Sequence, residues 1–157
     1  MKIRIVIVLL AVACLSGYVA TVWSPSTPAP QPRIVKPTPD LPSDVAALSG
    51  VWEGIGPDSL PIRLVVEKVH ENWATVMYTW GDHPEGKFQR GWVRVRAKVH
   101  PDGKLFWRHP GDFTFQLSED WTTLIGKREQ GGLTANSLMR RVPAERALTA
   151  LNTGEGE

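Results

Sequence analysis

The stretch Gly91-Trp-Val-Arg-Val-Arg-Ala-Lys-Val99 alternates strictly between apolar and polar side chains. Its odd-numbered positions from 93 onward are apolar, while its even-numbered positions carry a tryptophan and three cations. An alternation of period two is typical of a β-strand with one face on a core and the other on solvent. The stretch therefore predicts an antiparallel strand that contributes its valines and its alanine to an interior.

Short strand-like runs lie on both sides of this strand, and turn residues such as Asp102-Gly103 and Pro110-Gly-Asp112 separate them. We predict eight strands, at residues 51–55, 62–69, 73–80, 91–99, 104–108, 113–118, 122–128 and 133–141. Short links imply antiparallel neighbours. Because a flat sheet would expose long edges, we predict an all-β domain at 48–142 that closes into a small up-and-down barrel or a closed meander.

The N-terminal segment predicts export. Residues 5–23 carry no charged side chain and follow Lys2 and Arg4. Such a run can cross a bilayer as a helix, and basic residues stay on the cytoplasmic side. We predict that residues 1–23 are a single-pass membrane anchor, with the domain outside the cytoplasm, in the periplasm or the extracellular space. Two alternatives remain open: a cleaved signal of a secreted protein, and a lipoprotein lipidated at Cys14, which follows Ala11-Val-Ala13.

Residues 24–47 are rich in proline and precede the barrel. Seven of the 13 prolines of the chain fall there, at positions 25, 28, 30, 32, 37, 39 and 42. Proline fixes φ and lacks a backbone donor, so we predict an extended linker that holds the domain up to roughly 50 Å from the membrane. At the other end, residues 143–157 form a tail, in which 144–151 could make two helical turns.

The segment Leu48-Ser-Gly-Val-Trp-Glu-Gly-Ile-Gly56 resembles the Gly-x-Trp opening of lipocalins and the related calycin barrels. In those families the opening tryptophan packs against an arginine of the last strand. The resemblance implies a structural role for Gly50 and Trp52, with Arg140 or Arg141 as the arginine. The wider pattern is also similar to that of small bacterial exported β-domains of unassigned function.

The polar side of the 91–99 strand is the sharpest surface feature. Period two places five residues in one outward row, and these are Arg90, Trp92, Arg94, Arg96 and Lys98. Cations beside an aromatic ring suit an anionic polymer or a phosphate-bearing lipid. Acids on neighbouring strands, for example Glu67 or Asp112, would instead make the row an ordinary solvated face.

Aromatic residues supply further candidates. Trp52, Trp80 and Trp107 fall on inward positions and predict core, whereas Trp73 and Trp121 lie at strand ends, where exposed rings can stack on ligands. The 18 Lys and Arg residues exceed the 16 Asp and Glu residues by only two. Nucleic-acid-binding domains are usually far more basic, so we predict no nucleic-acid partner.

Catalytic and metal motifs are not evident in the sequence. The four histidines, at positions 70, 83, 100 and 109, fall on separate turns, and neither an HExxH nor a GxSxG motif occurs. We predict no metal, no cofactor and no enzymatic activity. The leading hypothesis is a tethered domain that binds an envelope glycan, an anionic lipid or a protein partner. The alternatives are a lipocalin-like carrier of a small apolar ligand and an envelope hydrolase that uses His83 and Asp82.

Overall fold

The computed structural model of the chain describes residues 28–108 and 110–143. It contains one short helix and eight strands: α1 (Ser43–Ala46), β1 (Gly50–Ile55), β2 (Pro61–Val69), β3 (Trp73–Trp80), β4 (Gly91–Val99), β5 (Lys104–Arg108), β6 (Asp112–Leu117), β7 (Thr123–Gln130) and β8 (Leu133–Val142). A single 3-10 turn, Pro57–Ser59, links β1 to β2.

The strands form a closed antiparallel barrel in which each pairs with the next along the chain and β8 returns to β1. This confirms the predicted all-β barrel. The strands β3, β4 and β5 have the predicted bounds, and the others differ by one or two residues at an end. The predicted membrane helix and the predicted helical turns at 144–151 lie outside the described residues. Within 28–108 and 110–143, no helix has the length and hydropathy that crossing a bilayer requires.

Large side chains fill the barrel interior. Trp107 stacks on Phe113 and Phe115, with ring centroids 5.0 and 5.1 Å apart. Tyr78 meets Phe113 edge-on at 5.4 Å. Aliphatic residues from six strands and from α1 complete the same cluster. Because aromatic pairs of this geometry add to the stability gained from burial, the interior is a packed core with a strong aromatic component.

One end of the barrel is closed by α1. Val45 of α1 and Leu48 are buried in the main cluster, and Leu41 packs against it. The turns 70–72, 100–103 and 118–122 lie at this end, because they join strands that run toward it. The helical turn at 43–46, just before the predicted domain start at residue 48, thus packs on the barrel.

The proline-rich segment contacts the barrel at Arg33 and Val35. The backbone N–H of Val35 donates to the carbonyl of Glu67 at 2.7 Å. The N–H of Arg33 donates to the Glu67 carboxylate at 3.1 Å. Ala29, Pro30 and Pro32 are half-buried. These contacts hold residues 33–35 against β2.

The docking site of the linker is a β-bulge. The pairing of β2 with β3 shifts register between Val66 and Lys68, which leaves Glu67 as the extra residue. A bulge re-aims its side chains, and here Glu67 points outward, where it is only 6% exposed. The carboxylate is neutralised by the guanidinium of Arg94 on β4, at 2.8 and 3.0 Å.

Candidate anion-binding site

The outward row of β4 divides into two halves of different character. Arg90 donates two side-chain hydrogen bonds to Asp82, at 3.0 and 2.7 Å, and Arg94 is paired with Glu67. The Arg90 hydrogen bonds hold the pKa of the Asp82 carboxyl below its usual value, so this pair stays ionised. Two of the four predicted cations are therefore already matched by acids, as the solvated-face alternative requires.

The other two cations of the row are not neutralised by an ion pair. Arg96 and Lys98 are exposed, and neither forms an ion pair within the described part of the chain. The register explains this, because Arg96 lies opposite Thr75 and Lys98 opposite Trp73 on β3. On the other side, β4 pairs with β5 only at Lys98 and Val99, so no β5 side chain lies beside Arg96.

The ring of Trp73 contacts two cationic side chains, Arg96 and Lys68. Its ring stacks on His70 at 3.8 Å, and the Arg96 guanidinium lies 4.2 Å from its centroid. Since two groups at such distances need opposite faces, both faces of the indole are occupied. Lys68, the residue after the bulge, places its ammonium 5.9 Å from the same ring. The interpretation of Trp73 as a stacking platform for a ligand is therefore replaced: its ring orients Arg96 by a cation–π contact.

A shallow open pocket of about 310 Å³ lies at this position, lined by Asn72, Trp73, Arg96, Ala97 and Lys98. We call Lys68, Trp73, Arg96 and Lys98 together the basic pocket. A planar guanidinium held against a ring offers directed donors, and two ammonium groups add mobile positive charge. This set can bind phosphate or carboxylate oxygens.

The two other candidate tryptophans lie away from the basic pocket. Trp92 is outward on β4, four residues from Arg96, which is about 13 Å along an extended strand. Trp121 is 43% exposed on the turn between β6 and β7, at the same end of the barrel as Trp73 but on another wall. Its φ of 58° is in the left-handed region, which is rare for a bulky residue.

The residues of the Gly-x-Trp opening pack together with Arg141 near α1, around the buried ring of Trp52. The Arg141 guanidinium lies 4.3 Å from the Trp52 ring centroid and donates to the carbonyl oxygens of Ser49, at 2.6 Å, and Ala47. The Trp52 indole donates to Leu48 O at 2.9 Å. A Cβ at Gly50 would lie 2.8 Å from Arg141 Nη1, and its φ is +123°.

Of the two candidate arginines, the structure places Arg141 over Trp52. Arg140 has the opposite parity on β8 and points to solvent.

His83 and Asp82 do not form the pair that a hydrolase would need. Asp82 binds Arg90, whereas His83 Nε2 lies 3.3 Å from Asp58 Oδ2. The N–H of Glu85 donates to His83 Nδ1 at 3.1 Å. Both ring nitrogens are thus engaged, and His83 is buried rather than a surface histidine. The ring ties the 81–90 loop to the β1–β2 turn and leaves no nitrogen for proton transfer to a substrate.

No group of three or more histidine, cysteine or acidic side chains in the described ranges is arranged to hold a metal ion. Cys14, the candidate lipidation site, lies outside these ranges.

Two other features of the barrel interior could not be read from the sequence. The interior holds Arg128, whose guanidinium lies 5.3 Å from the Phe113 ring centroid. Its Nε and the Trp107 indole Nε1 are buried without a hydrogen-bond partner among the described residues.

Tyr78 gives a test of the packed interior. Burial raises its pKa to about 12, while the nearby charge of Arg128 acts in the opposite direction. A tyrosine whose pKa is raised by folding contributes stability that is complete below its unfolded pKa, about 10, and is lost as pH rises through its folded pKa. We expect about 2 kcal/mol to be lost by about pH 12, measured by urea unfolding. Tyr78→Phe should lack this loss; an equal loss in that variant would contradict the buried position.

Comparison with known proteins identifies no family for the chain. No family model matches the chain, and no curated protein matches it. Among solved structures it is similar to the siderocalin Ex-FABP, described as functioning through dual ligand specificities. Identity is 13%, the TM-score is 0.38, and the match covers 71% of this chain and 80% of that chain. The strand order and the Trp52–Arg141 contact agree with what the resemblance of the Gly-x-Trp opening implies. A match at this level says nothing of what the chain binds.

Proposed function

We propose that this chain is an exported, membrane-tethered β-barrel with a non-catalytic role, which binds anionic groups at the basic pocket. The observation that carries the proposal is the division of the β4 row. Arg90 and Arg94 are neutralised, whereas Arg96 and Lys68 lie against the Trp73 ring and Lys98 lies opposite Trp73 in register. None of these last three cations forms an ion pair among the described residues. Exposed like charges repel, so a cluster of three cations costs energy unless a counter-charge binds there.

The geometry favours anions over neutral sugars or apolar molecules. A sugar-binding tryptophan needs an open face, and both faces of Trp73 are covered by His70 and Arg96. The pocket is open and shallow, so it cannot enclose an apolar molecule. Phosphate and carboxylate oxygens need only donors at the surface, which Arg96 and the two lysines supply.

The test is a charge reversal. The double variant Arg96→Glu/Lys98→Glu should bind a soluble short-chain inorganic polyphosphate at least about tenfold more weakly than wild type at low salt, because each cation contributes about 1 kcal/mol to such contacts. Wild-type binding should also weaken as salt rises, since exposed charges are screened within about 10 Å at 0.1 M. Fluorescence anisotropy of labelled polyphosphate would measure both.

The matched control is Lys127→Glu/Arg140→Glu, which changes the net charge equally on the outward side of β7 and β8. Lys127 takes part only in an exposed pair with Glu129, so this variant should fold normally. If both double variants lose binding equally, net charge and not the basic pocket attracts the polyanion, and the proposed site is wrong.

A second candidate is a carrier of a small ligand with a hydrogen-bond-accepting head. It is favoured by two buried donors without a partner among the described residues, Nε1 of Trp107 and Nε of Arg128. A buried N–H group lowers the stability of the fold unless a hydrogen-bond acceptor, here an atom of the ligand, lies next to it. The stacked rings of Trp107, Phe113 and Phe115 occupy the interior, so the ligand would have to displace side chains. Titration with anilinonaphthalene sulfonate distinguishes the two: a carrier predicts binding that Arg128→Met abolishes and Arg96→Glu leaves intact.

A further inference from the structure

The docked linker changes the distance between the barrel and the membrane. Its contacts with Glu67 fix residues 33 and 35 on β2. Residues 24–32 separate Trp23, where the apolar run ends, from Arg33, the first residue with such a contact. A span of this length reaches at most about 30 Å when fully extended. The tether therefore holds the barrel closer to the bilayer than the roughly 50 Å of a free spacer.

The basic pocket lies on the same outer wall as the docked linker. Glu67, which binds the linker, is followed directly by Lys68 of the pocket. Arg94, which neutralises Glu67, is two residues from Arg96 and therefore on the same face of β4. The chain enters the fold beside the cluster of unpaired cations, so the wall that the tether draws toward the membrane also carries the unpaired positive charge.

We propose that the basic pocket binds the anionic phospholipid headgroups of the membrane to which the chain is itself tethered. This inference rests on the proposed function and names the source of the anion. Three cations near an anionic surface together contribute about 3 kcal/mol to the free energy of binding, which is too little to keep an untethered domain on the membrane. A short tether raises the effective concentration of the pocket at the membrane surface. The tethered domain therefore binds headgroups without the full entropic cost of association from solution. The result is a barrel fixed in orientation on the bilayer.

The test uses the full chain in lipid nanodiscs, with Cys14→Ser removing the native thiol. A fluorophore is placed on Asn72→Cys, at the pocket, or on Thr114→Cys, which is outward on β6. Quenching by spin-labelled lipid headgroups reports the distance to the bilayer. In anionic nanodiscs we expect the label at 72 to be quenched at least about threefold more than the label at 114, since only the pocket wall is drawn to the headgroups.

Three outcomes would overturn the inference: equal quenching at positions 72 and 114, equal quenching at 72 in anionic and zwitterionic nanodiscs, and a chain that does not enter the nanodisc. Adding Arg96→Glu/Lys98→Glu should reduce quenching at 72, and a long Gly-Ser insertion between residues 27 and 28 should do the same by weakening the tether effect. If polyphosphate binds the pocket but lipid charge does not affect quenching, the proposed anion site holds and its membrane ligand does not. If neither binds, both proposals fail.

Discussion

Trp52→Ala is expected to lower the free energy of unfolding by about 3 to 5 kcal/mol, enough to unfold a marginal domain. The Trp52 side chain is fully buried, at 0% exposure, and its indole donates to Leu48 O. Its ring is also the support for the Arg141 guanidinium. The substitution therefore leaves a cavity, an unpaired carbonyl and a partly buried cation that has lost its cation–π partner. Urea unfolding followed by far-ultraviolet circular dichroism measures the loss.

Trp121→Ala is the matched control, since it removes the same side chain from a turn where the residue is 43% exposed. Its cost should remain within about 1 kcal/mol. The contrast matters more than either value, because the two variants delete identical atoms. A Trp52→Ala domain as stable as the Trp121→Ala domain would mean that the opening tryptophan does not organise the barrel.

Glu67→Ala is expected to release the linker and to cost about 2 to 4 kcal/mol. The nearly buried carboxylate accepts from the Arg94 guanidinium and from the backbone N–H of Arg33, so removing it leaves both without their partner. Arg94 is partly exposed, so its guanidinium can hydrogen-bond to water in the variant. The loss of stability is therefore smaller than for a fully buried pair. Release should make the bond after Arg33 more sensitive to trypsin than in wild type, as mass spectrometry of a timed digest would show.

Glu53→Ala serves as the comparison, because Glu53 pairs with Arg63 at a partly exposed site between the adjacent strands β1 and β2. Solvent screens such a pair, which contributes about 1 kcal/mol or less, so this variant should keep most of its stability and its resistance to trypsin. Unchanged trypsin sensitivity in Glu67→Ala would mean that the linker is held by something other than these contacts. The Glu67 contacts would then not be what keeps the barrel close to the membrane.

The barrel could be predicted from the sequence because the alternation in β4 and the turn residues are local signals. The basic pocket could be predicted only in part. Arg96 and Lys98 follow from the period of two, and Glu67 could be named as an acid able to pair with the row. Which arginine Glu67 neutralises depends on the strand register, because Arg94 is 27 residues away in sequence. Lys68 was missed for a specific reason. Continued alternation from Leu64 and Val66 would turn it inward, and the bulge at Glu67 turns it outward instead.

The linker shows a second limit of sequence reasoning. Proline content correctly excludes a regular helix or an interior strand, but an extended chain free in solvent and one laid along a strand have the same composition. The difference lies in whether a partner offers acceptors for the few remaining backbone N–H groups. Here the bulge provides two acceptors, the carbonyl and the carboxylate of Glu67, for Val35 and Arg33.

The interior arginine was unpredictable for a similar reason. Arg128 has inward parity on β7, opposite Ala135 of β8, where an apolar residue would be expected. Its cation is accommodated by the Phe113 ring and by acceptors on Pro110 and Gln130. None of these partners could be identified before the strands were placed around the barrel.

The most direct test of anion binding at the basic pocket is a nuclear magnetic resonance titration of the isotopically labelled chain with short-chain polyphosphate at low salt. Binding at the basic pocket predicts that the largest amide shifts occur at Lys68, Asn72, Trp73, Arg96 and Lys98, and that these shifts vanish in Arg96→Glu/Lys98→Glu. Shifts centred instead on Tyr78, Trp107 and Arg128, with the basic pocket unchanged, would contradict it and would identify the barrel interior as the binding site.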